Sequence, residues 1–321
     1  TQRGHGGNNA RGDHGLVDEV IDVRAVSGIS FSGGSGLLEG GNQRIAYAML
    51  GHGGHDADNP NSGNYADNTA GTPGFPTPAE RVGNTADITV VTATGDISFA
   101  AGSQDRNFAQ LGHGGHSTDG DHTGTITVEA TEGAIRFESL LDGVDVSLTT
   151  GADNPDERYV MLGHGGFFAS GSHTGDIDVM AGVGGGIRFT SGANGSSFAQ
   201  LGHGGRNDYR QSGTGATPGN NINDRYYPGT LSGNIAVTAG LDISFTGGNG
   251  GSVGYAQLGH GGFRSAAIAD EGHEGSIDVT STNGAIQFTA GTASNAFAQI
   301  GHGGSGSMGN HGLFDANGCG G

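Results

Sequence analysis

Seven histidines of this 321-residue chain sit in the same four letters, G-H-G-G: His5, His52, His113, His164, His203, His260 and His302. The phrase FAQLGHGG stands at Phe108–Gly115 and returns letter for letter at Phe198–Gly205, with near-copies starting at Tyr47, Tyr159, Tyr255 and Phe297. Imidazole can bind a metal, move a proton or serve as architecture. The metal reading draws on HGGH at His52–His55 and His113–His116, the second followed by Asp119, Asp121 and His122. His113, His116 and His122 are therefore the candidate ligands, because clustered imidazoles and carboxylates hold divalent metals. Against it, the companion position holds Phe167, Arg206, Phe263 and Ser305 in the later copies. A site that defined the repeat would keep its ligands in each copy. The sequence thus favours a structural ladder of His52, His113, His164, His203, His260 and His302, stacked ring on ring and bonded to backbone carbonyls at a glycine-lined corner. No metal and no cofactor is expected from it, and burial should depress the ring pKa values.

The elements that would hold such a ladder are strands. Between the octapeptides runs a second template, clearest in TGDIDVMAGVGGGIRFTSG (Thr174–Gly192), SGNIAVTAGLDISFTGG (Ser232–Gly248) and EGSIDVTSTNGAIQFTAG (Glu274–Gly291). It reads G-x-I-x-V, a turn, I-x-F, a turn, then the octapeptide. Each unit carries three segments with a two-residue period and none with a helical one. Three short strands in fixed order, repeated at gaps of 47, 61, 51, 39, 57 and 42 residues between histidines, predict an all-β parallel solenoid of about six coils. A propeller blade needs four strands. Stacked coils would put like on like: Ile97, Ile135, Ile187, Ile243 and Ile286 in one column, Phe99, Phe137, Phe189, Phe245 and Phe288 in another. Insertions fall at two corners, after GHGG (55–84, 206–230) and after I-x-F (138–158), so residues 1–321 read as one repeat domain. Both parities of the octapeptide strand recur, which predicts cover on both faces, with Ala, Leu and His toward the coil interior and the aromatic with Gln or Met toward an insert or a neighbouring chain.

Composition narrows the function. Glycine is 69 of 321 residues and the net charge is −19, the 13 basic residues all being arginine. That surface would be repelled by nucleic acid and by anionic membrane faces. No apolar run is long enough to span a bilayer. The lone Cys319 can make no internal disulfide. Acidic loops such as ADNPDE (Ala152–Glu157) offer oxygen ligands for Ca²⁺ at most, and RGD at Arg11–Asp13 is a three-letter match. Polysaccharide-cleaving β-helices need clustered carboxylates. Asp176 and Asp178 are the nearest approach, and their equivalents are Thr125 and Thr127, or Asn234 and Ala236. The chain is not expected to be an enzyme.

GDISFAAGS, GAIQFTAGT and GDIDVMAG resemble the rod repeats of filamentous-haemagglutinin-like adhesins, which bacteria secrete to their surface, with GHGG marking a distinct subtype. The resemblance spans essentially the whole chain and implies a right-handed parallel β-helix in an extracellular fibre or adhesive stalk. TQRGHGG at the start reads as the tail of a unit, and neither end shows a polar cap. The expectation is a fibre segment, found outside the cell, whose coils stack head-to-tail on copies of itself. The alternative is a binding module whose inserts recognise glycans or cell surfaces.

Overall fold

A strand with Ile, Val or Phe at each second position has one apolar face and must bury it. Here three such strands per coil turn their apolar faces toward each other. The computed structural model describes residues 2–3, 20–34, 46–55, 83–102, 107–118, 120–139, 158–169, 171–192, 197–206, 228–249, 253–265, 272–292 and 295–307. All described elements are strands, and all strand pairings between coils are parallel: the chain is a parallel β-solenoid.

The I-x-V segments form a six-stranded sheet from Val20–Ala25 to Ile277–Ser281, and the I-x-F segments another from Ile29–Ser32 to Ile286–Thr289. The octapeptides form a seven-stranded sheet from Gln2–Arg3 to Ala298–Ile300. To the three segments legible in the sequence the coil adds a fourth, shorter one just before G-x-I-x-V: His122–Thr123, Gly171–Thr174, Pro228–Ser232 and His273–Glu274 pair into a corner sheet.

Register is like on like. Ile97, Ile135, Ile187, Ile243 and Ile286 pair in one row, as do Phe99, Phe137, Phe189, Phe245 and Phe288. The row begins one coil earlier than the sequence reading placed it, with Ile29 and Phe31. Phenyl rings from Phe31 to Phe288 stack with centroids 4.8–4.9 Å apart. That is the strand-to-strand spacing of a sheet, so the backbone ladder itself sets the ring stack. Each offset pair adds about 0.5–1.5 kcal/mol beyond its burial.

The main core gathers inward Ile, Val and Phe from two sheets with Ala and Leu from the octapeptide sheet, including Ala109, Leu111, Ala199, Leu201, Ala256 and Leu258. The parity expected from the sequence is the one found. A second core lies on the other face of that sheet, where Phe108, Tyr159, Phe198 and Tyr255 meet Phe167, Phe168, Val253 and Phe263. Apart from Val253, that cover is supplied by residues directly after GHGG. The sheets continue in register across the long insertions, whose residues 56–82, 140–157 and 207–227 lie outside the described set, as do His5, Arg11–Asp13 and Asp119.

Candidate functional site

The histidine corner begins with glycine. Gly163, just before His164, has φ +148°, and a Cβ there would strike the carbonyl oxygen of Gly202 in the next coil. Only glycine combines that backbone with that approach. The turn aims the following imidazole into the body of the coil, where His113, His164, His203 and His260 have no exposed surface.

From His113 to His302 each ring of the ladder is held at both nitrogens. Nδ1 of His113 accepts the backbone N–H of His52 at 3.0 Å, and the same bond recurs from His113 to His164, His164 to His203, His203 to His260 and His260 to His302 at 3.0–3.1 Å. A backbone amide can only donate, so Nδ1 is bare and the proton sits on Nε2. Nε2 then donates to the carbonyl of Ala86, Gly124, Gly175, Gly233 or Gly275, at 2.7–2.9 Å. Those carbonyls open the I-x-V segment of the same coil, so each imidazole fastens the end of its coil to its beginning while docking on the coil before. The rings stack at 4.8–4.9 Å.

This bonding needs neutral imidazole. Burial is the main cause that holds His113, His164 and His203 well below the usual 6.5, with the adjacent histidine of the stack second; His260 is brought down to about 3 by the same pair of causes. Beside the ladder runs a second column that the sequence reading did not find. His122 stacks on His173 at 5.0 Å, and the register continues through Leu231 to His273. Burial lowers His122 as well, and His173 to about 3. The available signal was a histidine two residues before the Gly of G-x-I, in DHTGTI, SHTGDI and GHEGSI, broken by TLSGNI.

The metal candidates do not converge. His113 belongs to the ladder, His122 to the corner column with Nδ1 accepting from the Asn84 amide, and His116 stacks between His55 and Phe167 at 4.8 and 5.2 Å. Among the described residues no group of three His, Cys, Asp or Glu is placed to hold a metal ion. The companion position after GHGG is a mixed stacking column instead: His55, His116, Phe167, then Arg206 with its guanidinium 5.3 Å from the Phe167 ring and 5.4 Å from Phe263. The carboxylates weighed for polysaccharide cleavage are also dispersed, since Asp178 has Thr127 and Ala236 as its neighbours in register.

The outer face of the octapeptide sheet carries a second set of paired groups. Rings from Tyr47 through Phe108, Tyr159, Phe198 and Tyr255 to Phe297 stack at 4.7–5.0 Å. Gln110 Nε2 donates to Gly163 and Gly165 of the next coil, and Gln200 Nε2 to Gly259 and Gly261. Their Oε1 atoms accept the hydroxyls of Tyr159 and Tyr255 at 3.2 and 3.1 Å. Tyrosine thus follows a coil with glutamine, and Phe108 and Phe198 follow coils with Met49 and Met161. Phe297 departs from this: it follows Gln257, whose buried Oε1 has no hydrogen-bond partner.

Compared with known proteins, the chain matches no family model, no curated protein and no solved structure. No described helix is long and apolar enough to cross a membrane.

Proposed function

We propose that this chain is a structural segment of an extracellular bacterial fibre, in which β-solenoid coils continue end to end. The observation that carries the reading is the state of the last described coil. The interior positions of inner coils are sealed, yet Ile286 and Ile300 of the last coil are 43% and 46% exposed, with Phe288 only partly covered. An open parallel edge with an apolar cross-section joins another such edge unless something blunts it. The ladders support a structural rather than a catalytic role, because five imidazoles have both ring nitrogens engaged by backbone and are committed to holding coils. The resemblance of the coil motif to secreted rod repeats supports the extracellular placement. Electron microscopy of the purified chain at neutral pH tests the reading. Unbranched filaments one solenoid wide, lengthening with protein concentration, are expected; discrete particles at all concentrations would refute it.

A further inference from the structure

We infer that the Arg188 guanidinium and the backbone N–H of Gly186 form a docking site for the carboxylate of an acidic sugar. The site lies on the flank of the rod and is independent of whether chains join end to end.

The chain itself shows what this corner does with a carboxylate. At the turn into the I-x-F strand of one coil, Asp96 Oδ1 accepts the backbone N–H of Ala134 in the next coil at 2.8 Å, and Oδ2 is paired with the Arg136 guanidinium. The Ala134 N–H is the main cause that holds the Asp96 carboxyl below its ordinary range, against burial and with help from Arg136. Asp242 repeats half of the arrangement. Its Oδ1 accepts the N–H of Ala285 at 2.7 Å, and Gln287 stands in the arginine row.

One coil further on, the receiving half recurs without its acid. Arg188 is in register with Arg136, and the Gly186 carbonyl takes the Ile135 N–H as the Ala134 carbonyl takes that of Ile97. Gly186 and Arg188 are thus the counterparts of Ala134 and Arg136. The position that would supply their carboxylate is Ala134, the counterpart of Asp96. Among the described residues neither the Gly186 N–H nor the Arg188 side chain has a hydrogen-bond or ion-pair partner. Arg188 is exposed and Gly186 half-buried, so both are open to solvent. A carboxylate laid over Ala134 would meet one N–H and one guanidinium, the same pair that Asp96 meets, with the Arg136 charge one strand spacing away.

The surroundings select what carries that carboxylate. The outward positions beside Arg188 are Thr190 on its own strand, with Ser244 and Thr246 on the next. Short hydroxyl side chains exchange hydrogen bonds with sugar hydroxyls. A chain of net charge −19 repels densely charged polyanions at long range and admits a carboxylate that arrives singly among hydroxyls. An acidic sugar has that form.

Saturation-transfer NMR on the full chain at low ionic strength, with D-galacturonate as the probe, reads weak binding in any state of assembly. A ligand signal is expected with the native sequence. It should fall about tenfold in Arg188→Gln, the loss of one charge-assisted hydrogen bond, and equally with galactose, which lacks the carboxylate. Ala134→Asp sets the chain's own carboxylate on the site, so it should silence the signal and raise Tm. Asp96→Ala does the reverse: it frees the Ala134 N–H and Arg136 as a second site, and the signal should grow. A signal that survives Arg188→Gln and Ala134→Asp alike would overturn the site, as would no signal from the native chain. A glutamate-bearing tripeptide binding as strongly as galacturonate would overturn the assignment to a sugar.

Discussion

The ladder imidazoles are neutral because burial removes the charged form's hydration and the charges acting on them are other imidazoles. Their folded pKa values lie below the ordinary 6.5, so above pH 6.5 both folded and unfolded chains carry neutral rings and the full stability is present. As pH falls below 6.5 the unfolded chain takes up protons that the folded chain refuses, and stability drops until the pH nears the folded values, about 3 for His173 and His260. Each such ring contributes about 1.4 kcal/mol per pH unit in that window, and six of them roughly 8 kcal/mol. Ordinary domains hold only about 5–15 kcal/mol in total. Far-UV circular dichroism from pH 7.5 to 4 should therefore show cooperative loss of the sheet between about pH 6 and 4, and a flat profile would mean that the rings are hydrated. A second expectation concerns Gln257. Phe297→Tyr supplies the hydroxyl that Tyr159 and Tyr255 give to the glutamines below them, and should stabilise the chain by about 1 kcal/mol, read as a rise in Tm. Phe198→Tyr, whose hydroxyl would face Met161, should not share the gain.

At the level of elements, the octapeptide strand is the exception to one-sided burial. It can be sealed on both faces because the chain doubles back over it directly after GHGG, stacking Phe167, Arg206 and Phe263 beside the Tyr/Phe column. The Arg206 guanidinium acts there as one more flat plate. Arg206→Ala should cost about 1–2 kcal/mol, and Arg206→Lys should recover less than half, since an ammonium cannot stack on two rings; thermal melts of the three chains would decide it. Much of this element was legible. Period-two alternation gave the three long strands, identity between copies gave the rows, and the constancy of both parities in FAQLGHGG gave the double burial. The corner strand was not legible, because two to five residues such as HT or PGTLS carry no period and their ladder is interrupted at Leu231. The first coil's ISFS at Ile29–Ser32 fits the I-x-F template and was hidden only by the divergence of its flanks. The histidine bonds could not be read at all. That Nε2 reaches the carbonyl opening its own coil depends on closure of the cross-section, and the residues joined are 27 to 40 apart in sequence.

Across the whole molecule, the coils vary in length while their cross-section does not. Successive histidines are between 39 and 61 residues apart, yet their rings remain one strand spacing from each other. Continuity of the rod therefore comes from what each coil lays against the next, and the covalent thread between them is secondary. A chain severed between Leu148 and Thr149 and produced as two pieces should consequently reassemble. Phe137 of one piece would rest on Phe189 of the other, Gln110 would reach Gly163 and Gly165, and the ring of His164 would buckle onto Gly124 across the cut. Co-purification of the halves, lost when His164 is replaced by alanine, is the expected result. The imidazole in the repeated phrase is in that sense a clasp, and a clasp goes on holding after the string has been cut.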